Sequence, residues 1–172
     1  MSDIRLIGLT SIRIGDVGAT GVMCGTLETI TGIVPDSAHL IIEAPTMTDL
    51  YVEEETLPDV SVPGTSKKTV EFATRDVGGK VLKKAFAGIF NATTLVWSAS
   101  TAGSITIEEC AVELKSKVIA GKYVKIEIPR ATIHASADLK FTKTESGQVA
   151  FSCDVMVPSS STNIPAIVIT PA

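Results

Sequence analysis

The chain has 172 residues, a formal net charge of −4 and a mean hydropathy of +0.34, with few aromatic residues and a single tryptophan, Trp97. This length suits one domain that buries roughly two-thirds of its unfolded surface. No apolar run approaches the roughly 18 residues that a membrane helix needs, so the high hydropathy points to burial at subunit interfaces. The N-terminus lacks the charged and continuous apolar regions of a secretory signal, which predicts accumulation in the cytoplasm.

The number and spacing of the cysteines and histidines argue against disulfide frameworks, metal sites and nucleophilic catalysis. Cys24, Cys110 and Cys153 are an odd, widely spaced trio without the spacing of a disulfide framework or a zinc site. Cys153 falls on the apolar face of its predicted strand, which indicates a buried thiol that acts as a small hydrophobe. His39 and His134 lie on separate strands, where neither has the partners of a catalytic base or a metal ligand. We therefore predict no enzyme activity, no cofactor and no metal site.

Charge is distributed in blocks along the chain. No Lys or Arg occurs between Ile14 and Ser66, and the acids of that span are Asp16, Glu28, Asp36, Glu43, Asp49, Glu53, Glu54, Glu55 and Asp59. A basic cluster follows, made of Lys67, Lys68, Arg75, Lys80, Lys83 and Lys84. The alternative interpretation for any single one of these acids is that it lies on an ordinary solvent-exposed surface without a partner role. As a group, the blocks predict contacts between partners of opposite charge, and the absence of basic residues interleaved with aromatics argues against tight DNA binding.

In chain order, residues 4–14 read as a strand or strand pair, and the glycine-rich residues 15–25 as a flexible loop or arm. A short strand follows. Residues 38–46 then alternate, and the apolar Ile41 on the more polar face suggests a strand that is covered on both sides. Residues 48–55 form an acidic strand whose carboxylates share one face, which predicts that this face lies toward solvent or a channel.

The next segment, residues 56–68, contains Pro58, Pro63 and Gly64 and is predicted as a long inter-strand loop. After the returning strand, apolar residues at helical spacing predict one amphipathic helix over about residues 77–88 that packs on the sheet. Asp76 is the expected N-cap of this helix, and Gly88 is its expected stop.

The second half reads as a succession of strands: TTLVWSAS, SITIEECAVEL, KSKVIA, KYVKIEIPR, ATIHASADLKF and QVAFSCDVMV, with the last two paired as a hairpin. Residues 158–172 read as a polar hinge and a C-terminal arm that adds a strand to a neighbour. The predicted fold is mainly β, an antiparallel β-sandwich or barrel flanked by one short α-helix, in a single domain over residues 1–172 with no additional C-terminal immunoglobulin-like domain.

Three segments carry a resemblance to a known family. The stretch SAHLIIEAPTMTDLYVEEETLPDVSVPGTSKKTVEFATRD, the helix VGGKVLKKAFAG with its Trp-bearing strand, and VKIEIPRATIHASADLKF with its hairpin partner lie between residues 26 and 157. In this order they resemble the major tail tube proteins of long-tailed bacteriophages, a family similar in fold to the tube proteins of contractile tails and type VI secretion.

This resemblance implies a structural virion protein of the phage tail that is assembled in the host cytoplasm. Hexameric rings would stack into a hollow tube that conducts DNA during ejection. The implied partners are further copies of the chain, together with tape-measure, tail-terminator and baseplate or tip proteins. Viral DNA would pass without specific binding, and no membrane insertion is expected. The alternatives are the inner tube of a contractile injection or type VI secretion device, and a surface β-sandwich that binds a ligand.

Three sets of residues are predicted to serve this assembly. The candidate lumen-lining acids are Asp49, Glu53 and Glu55. The candidate inter-ring loop comprises Leu57, Pro58, Asp59, Val60, Val62, Pro63 and Lys67, and the candidate basic inter-subunit face comprises Lys80, Lys83 and Lys84.

Overall fold

The computed structural model describes residues 8–19, 21–51, 60–99, 108–141, 146–158 and 164–171. Within these ranges strands dominate and one short helix occurs, which confirms the predicted mainly β class. The elements in chain order are β1 (Leu9–Gly15), β2 (Glu28–Ile30), β3 (His39–Ile42), β4 (Met47–Leu50), β5 (Val60–Pro63), β6 (Lys68–Thr74), α1 (Gly79–Phe86), β7 (Ile89–Asn91), β8 (Val96–Ser98), β9 (Glu109–Ser116), β10 (Val124–Phe141), β11 (Ser146–Val155) and β12 (Val168–Pro171).

Eight of these strands form one antiparallel sheet. Its order is β2–β1–β9–β10–β11–β6–β3, and β12 lies beside the first part of β10. β10 is 18 residues long and pairs with β9 along one edge. Its other edge pairs with β12 over Val124–Glu127 and with β11 from Ala131 onward. A single strand thus holds the two halves of the sheet together.

The sheet curls until its two ends are bridged by the chain that follows β2. Ile30 pairs with Ile12 of β1, and three residues later Ile33 forms a bridge to Thr74 of β6. Two further backbone hydrogen bonds, of 2.8 and 2.9 Å, reinforce this bridge. Closure of this kind reduces the exposed sheet edges, although the outer edge of β3 stays open among the described residues, and it gives the body of the protein a barrel-like form.

The inside of this barrel is aliphatic, as the alternation of the strands predicts. Fully buried side chains from five strands include Ile12, Val112, Ile128, Val70 and Val149. The rings of Phe72 and Phe151 stack with centroids 4.8 Å apart. Cys110 and Cys153 are buried in the same cluster, which confirms the predicted burial of Cys153.

A bulge in β10 is fixed by an arginine. The pairing of β10 with β9 shifts register between Ile128 and Ala131, and Arg130 lies in that gap. Its guanidinium donates to both carboxylate oxygens of Glu109 on β9, at 2.9 and 2.5 Å, and to the carbonyl of Val157 after β11, at 3.0 Å. Because bidentate arginine–carboxylate pairs are directional, Arg130 holds three neighbouring segments in register.

The helix begins later than the sequence predicts. It spans Gly79–Phe86 instead of residues 77–88, and Gly78 is its N-cap. Asp76 is not the cap: its carboxylate accepts the backbone N–H of Gly78 at 2.9 Å, which makes a turn before the helix. Competition of an aspartate side chain for nearby backbone groups explains the delay. Gly88, with a φ of 86°, follows the helix end as expected.

Two strand predictions in the second half are wrong. KSKVIA is not a separate strand, because β9 ends at Ser116 and a tight turn with a bridge between Ile119 and Lys122 follows. The C-terminal segment is not a free arm, because Val168–Pro171 pairs with the chain's own β10. β11 begins to pair only at Ala131, so the first part of β10 has an edge that β12 fills.

The Arg130–Glu109 pair predicts how stability depends on pH. The hydrogen bond from Arg130 lowers the pKa of the Glu109 carboxyl. Since the pKa is lower in the folded than in the unfolded chain, the pair stabilises the fold above the unfolded-state value and loses this contribution as the pH falls through the folded-state value. We expect Glu109→Gln to flatten the acid side of the stability profile, measured as the urea midpoint between about pH 5 and 3.

The matched control is Glu43→Gln, which removes an exposed carboxyl outside this pair. An acid slope in Glu109→Gln equal to that of the wild type would contradict the assignment.

Candidate assembly surfaces

A two-stranded arm leaves the barrel beside β3 and β6. After β3, Glu43 N–H donates to the carbonyl of Lys67 at 2.9 Å, and further out Gly64 N–H donates to the carbonyl of Thr46 at 2.6 Å. β4 and β5 then pair with Met47 opposite Pro63. We call residues 43–51 and 60–67 the arm. The eight residues from Glu43 to Leu50, of which Met47–Leu50 form a strand, span at most about 26 Å when extended.

Both faces of the arm are exposed. Every described residue from Ile41 to Tyr51 is solvent-exposed, and so are residues 61–65. Leu50 and Val62 lie on one face, and Met47 and Asp49 lie on the other. An isolated two-stranded hairpin is marginally stable in water at best. The arm therefore has the properties of an element that is completed by contact with another molecule.

The structure merges two of the predicted assembly segments into this arm. The predicted acidic strand contributes Asp49 in β4, and the predicted loop contributes Val60, Val62 and Pro63 in β5. The prediction of a loop over residues 56–68 is wrong for Val60–Pro63, which is a strand. The prediction from its prolines that this segment is not a central strand holds for Val60–Pro63, because the strand there belongs to a peripheral hairpin, which tolerates Pro63.

The remaining residues of these two sets are placed as follows. Glu53, Glu55, Leu57, Pro58 and Asp59 lie outside the described residues. Asp49 is exposed, and its carboxylate accepts a hydrogen bond from the Ser61 hydroxyl across the arm.

Lys67 belongs to the junction between the arm and the barrel. Its ammonium lies 3.2 Å from a carboxylate oxygen of Asp154 on β11. Such a contact within the chain gives Lys67 a role in anchoring the arm.

The three lysines of α1 divide into two groups. Lys80 and Lys83 are exposed, whereas the Lys84 side chain is only 18 % exposed and its ammonium donates to Asp16 at 2.6 Å. This hydrogen bond lowers the pKa of the Asp16 carboxyl. Burial by itself lowers the pKa of Lys84, but the bond to Asp16 together with the negative charges of Asp16, Glu108 and Glu28 outweighs burial, so the net pKa is raised. Lys84 therefore fastens the helix to the loop after β1, and the basic surface consists of Lys80 and Lys83.

A second hairpin, β7–β8, clamps the helix, and the sequence interpretation missed its first strand. Phe90 and Trp97 are directly opposed and half-buried beside α1. The Trp97 indole N–H donates to the carbonyl of Ala87 at 2.7 Å, and its ring lies 6.3 Å from that of Phe86. At the other end of the helix, a Cβ added to Gly79 would lie 2.6 Å from the Phe90 ring, so only glycine permits this approach.

The opposite side of this hairpin is apolar and exposed. Ile89, Leu95 and Val96 are among the most exposed large apolar side chains of the described residues. The carbonyl of Leu95 lies against Gly79 in the first turn of α1, next to Lys80. We call Lys80, Lys83, Ile89, Leu95 and Val96 the α1–β7–β8 face.

The outside of the barrel wall brings both histidines into one row. His134, Ser152, Glu71 and His39 are successive partners across β10, β11, β6 and β3. In the adjacent row, Asp154 accepts the Thr69 hydroxyl at 3.0 Å and lies 3.6 Å from the His134 ring nitrogen. We call the surface formed by these two rows the polar face. It could not be foreseen, because the register that aligns four strands depends on long-range pairing.

Two of the three cysteines are buried, and no metal-binding cluster occurs in the described part of the chain. The thiol of Cys110 hydrogen-bonds Cys153 and is buried, and both effects raise its pKa far above that of a reactive cysteine. Within the same described ranges, no group of three or more His, Cys, Asp and Glu side chains lies close enough together to hold a metal ion. No helix found there has the length and apolar character required to cross a membrane.

A scan of the chain against protein-family models finds no match, and no curated protein matches its sequence. The functional argument therefore depends on the surfaces described above and on the resemblance of the sequence segments.

The cysteines provide a test of the described packing. With a neutral-pH thiol reagent, we expect Cys24 to react within minutes, because it is partly exposed. Cys110 and Cys153 should react only in denaturant, since burial shields both thiols from the reagent. The measurement is the number of labelled thiols by mass spectrometry, which should be one in the native protein and three in urea. Native labelling of Cys153 would contradict the packing of β11 against β10.

Proposed function

We propose that this chain is the subunit of a hollow phage tail tube. Six copies join side by side into a ring, the rings stack, and DNA passes through the central channel during ejection. The protein acts by shape and electrostatics, and it catalyses no reaction.

The exposed arm is the observation that carries this proposal. Its two strands have no packing partner among the described residues, although Met47, Leu50 and Val62 are apolar. A monomer would leave this surface in water, whereas a contact with a neighbouring ring covers it and stabilises the hairpin. An arm that projects from the barrel by up to about 26 Å is long enough to contact a neighbouring subunit.

Side-by-side joining is supported by β3. This strand pairs with β6 along one edge, and its other edge has no strand partner among the described residues. Its residues Ile41 and Ile42 are exposed, whereas the sequence pattern indicates a strand covered on both sides. An open edge with exposed isoleucines is a template for pairing with another chain, and a neighbouring subunit in the ring would supply that cover.

Conduction of DNA requires a wall that does not hold phosphates. Duplex DNA carries one charge per about 1.7 Å of its axis, so basic side chains along a channel would bind it and slow its passage. A net negative wall leaves the duplex in its own layer of water and counterions. The net charge of −4 and the acidic block of the first third of the chain agree with this requirement.

Two surfaces of the chain are candidates for this wall. The first is the side of the arm that carries Asp49, and the sequence alternation predicts the same side for Glu53 and Glu55. The second is the polar face, where Glu71 is exposed beside Ser152, and Asp154 is paired with Lys67. The polar face belongs to four strands of a rigid sheet, and it offers a continuous surface without apolar side chains in the row from His134 to His39.

Electron microscopy of the purified protein tests the proposal. We expect hollow tubes about 10 nm wide, the width of a ring of small domains. In a truncated variant, residues 47–63 are replaced by Asn-Gly, which closes Thr46 onto Gly64 where the two are already hydrogen-bonded. This variant should keep the barrel by circular dichroism and form monomers or single rings, because the contact between rings is lost.

Tubes of normal length from the truncated variant would contradict the role of the arm. A wild-type protein that stays monomeric at high concentration would contradict the proposed function.

Charge reversal distinguishes the two candidate walls. Asp49→Lys and Glu71→Lys each place a cation on one of the two surfaces, and Asp36→Lys changes an exposed turn as the control. We expect the variant that faces the channel to form tubes but to deliver DNA about tenfold or more slowly, since electrostatic fields change rates by such factors. The measurement is the infectivity of particles that carry each variant. Unchanged infectivity for both variants would exclude both surfaces.

A further inference from the structure

The turn between β9 and β10 has a regular, tight geometry and is fully exposed. The N–H of Ile119 donates to the carbonyl of Lys122 at 2.8 Å, and the N–H of Lys122 donates to the carbonyl of Ile119 at 3.0 Å. Both residues between them have a positive φ, 51° and 79°, as a type I′ hairpin turn requires. Every residue from Lys117 to Lys122 is exposed. We call residues 115–125 the β9–β10 tip.

The base of the β9–β10 tip is fixed to the barrel. The N–H of Lys117 donates to the carbonyl of Gly8 at 3.1 Å, and the N–H of Val124 donates to the Ser116 hydroxyl at 2.8 Å. From this base, the three residues Lys117 to Ile119 extend at most about 10 Å. The tip is therefore a preformed convex element at one end of the barrel.

Two neighbouring aliphatic side chains of this tip are in water. Val118 is 50 % exposed and Ile119 is 43 % exposed. Aliphatic surface gains free energy when it moves from water into an apolar phase, so a pair of such side chains on a projecting turn favours a partner with an apolar layer.

The charge of the same segment has a single sign. From Leu114 to Ile126 the chain contains no Asp or Glu. Its lysines are Lys115, Lys117, Lys122 and Lys125. A partner that covers the aliphatic pair must therefore also carry negative charge close to its apolar layer.

Contacts within the chain leave this positive charge in place. The Lys115 ammonium lies 4.1 Å from the centroid of the Tyr123 ring, a cation–π contact that does not neutralise it. Lys125 pairs with Glu127 at 3.0 Å, and this is the acid that follows the segment. The acid that precedes it, Glu113, pairs with an arginine of β1 at 3.2 Å.

Shape and chemistry together decide which anionic partner fits. A convex turn has no groove in which an acidic peptide would lie. The backbone of a nucleic acid would pair with the lysines but would leave Val118 and Ile119 in water. An anionic lipid surface meets both requirements, because its headgroups carry the negative charge and the acyl chains lie directly below them. Aliphatic groups of peripheral proteins enter this boundary by about 5 to 10 Å, which the projection of the tip matches.

We propose that the β9–β10 tip docks on an anionic lipid surface. Val118 and Ile119 enter the boundary between headgroups and acyl chains, and the lysines pair with the anionic headgroups. The Tyr123 ring lies at the level of the headgroups, where tyrosine is favoured. The contact is peripheral and needs no membrane-spanning segment. It is independent of the proposed tube, although a tube end that exposes such tips would adhere to a membrane.

Flotation with lipid vesicles tests this contact, with the protein kept below the concentration at which it assembles. We expect the wild type to float with vesicles of equimolar phosphatidylcholine and phosphatidylserine and to stay unbound with phosphatidylcholine alone. Binding should weaken as salt is added, because exposed charges are screened.

An aliphatic variant tests the apolar part of the contact. Val118→Asp should weaken vesicle binding by about tenfold or more, since it removes one aliphatic side chain from the contact and adds a negative charge. Leu95→Asp is the matched control, because it makes the same change at an exposed leucine of the α1–β7–β8 face. The control should bind as the wild type does, and circular dichroism should show that both variants fold.

A charge variant tests the electrostatic part. Lys117→Glu combined with Lys122→Glu should weaken binding by at least about tenfold, because each lysine near an anionic surface contributes to the attraction. Lys80→Glu combined with Lys83→Glu changes the net charge by the same amount on α1 and should have a much smaller effect.

A fluorescent variant gives a further measurement if Val118→Asp disturbs folding. Ile119→Trp places an indole in the tip, and the wild type contains a single tryptophan, Trp97, as background. Vesicles that contain phosphatidylserine should shift the emission of this variant to shorter wavelength, and they should leave the emission of the wild type unchanged.

Three results would overturn the inference. The first is a wild type that binds neither vesicle, and the second is equal binding by the wild type and both tip variants, which would place the lipid contact elsewhere. The third is salt-dependent binding to a duplex oligonucleotide, without binding to vesicles, that is lost in the Lys117 and Lys122 variant; this would identify the tip as a nucleic-acid surface. The tube proposal is tested separately by electron microscopy and does not depend on these results.

Discussion

The pairing capacity of β10 is the constraint on which the rest of the structure depends. This 18-residue strand presents two edges, and β9 occupies one of them across a bulge. The other edge is shared, because β12 takes its first four residues and β11 takes the part that begins at Ala131. The division falls at Arg130, whose guanidinium binds Glu109 and the carbonyl of Val157. The contacts of Arg130 therefore lie where the second edge of β10 stops pairing with β12 and begins to pair with β11. The register of the closed barrel depends on this position.

Closure of the barrel also affects which apolar residues of this hydrophobic chain stay exposed. Closure buries the aliphatic side chains of the sheet and leaves few edges, and about half of the large apolar side chains that remain exposed in the described part of the chain lie on β3, the arm and β7–β8. None of these elements has a second layer that covers it among the described residues. A protein of this mean hydropathy needs additional burial, and these three surfaces are the places where a neighbouring subunit would provide it. The core of the barrel is buried within one chain, whereas in the proposed assembly neighbouring subunits would cover these peripheral elements.

The charged residues also divide into two groups, those paired within the chain and those exposed on its surface. Two of the lysines that follow the acidic segment are tied inside the chain, Lys67 to Asp154 and Lys84 to Asp16. These pairs attach the arm and the helix to the barrel, and both involve partners from distant parts of the sequence. The remaining exposed lysines of α1, Lys80 and Lys83, lie beside the β7–β8 hairpin, and Asp49 of the acidic block is exposed on the arm. Fixed attachment and complementary exposed charge are both needed if copies are to add in one direction.

The sequence by itself determined the mainly β class, the alternation that fills the core, the amphipathic helix and the burial of Cys153. Each of these follows from local periodicity and from the apolar character of residues at regular spacing. It also excluded a central strand at Pro58–Pro63, but it described as a loop and a separate acidic strand what the structure pairs as one arm. The tertiary structure alone decided that pairing, the return of β12 to its own β10, the row that aligns His134 with His39, and which lysines remain exposed. Each of these depends on contacts between residues distant in sequence, whose register is set by long-range pairing and side-chain packing, and no local pattern encodes them.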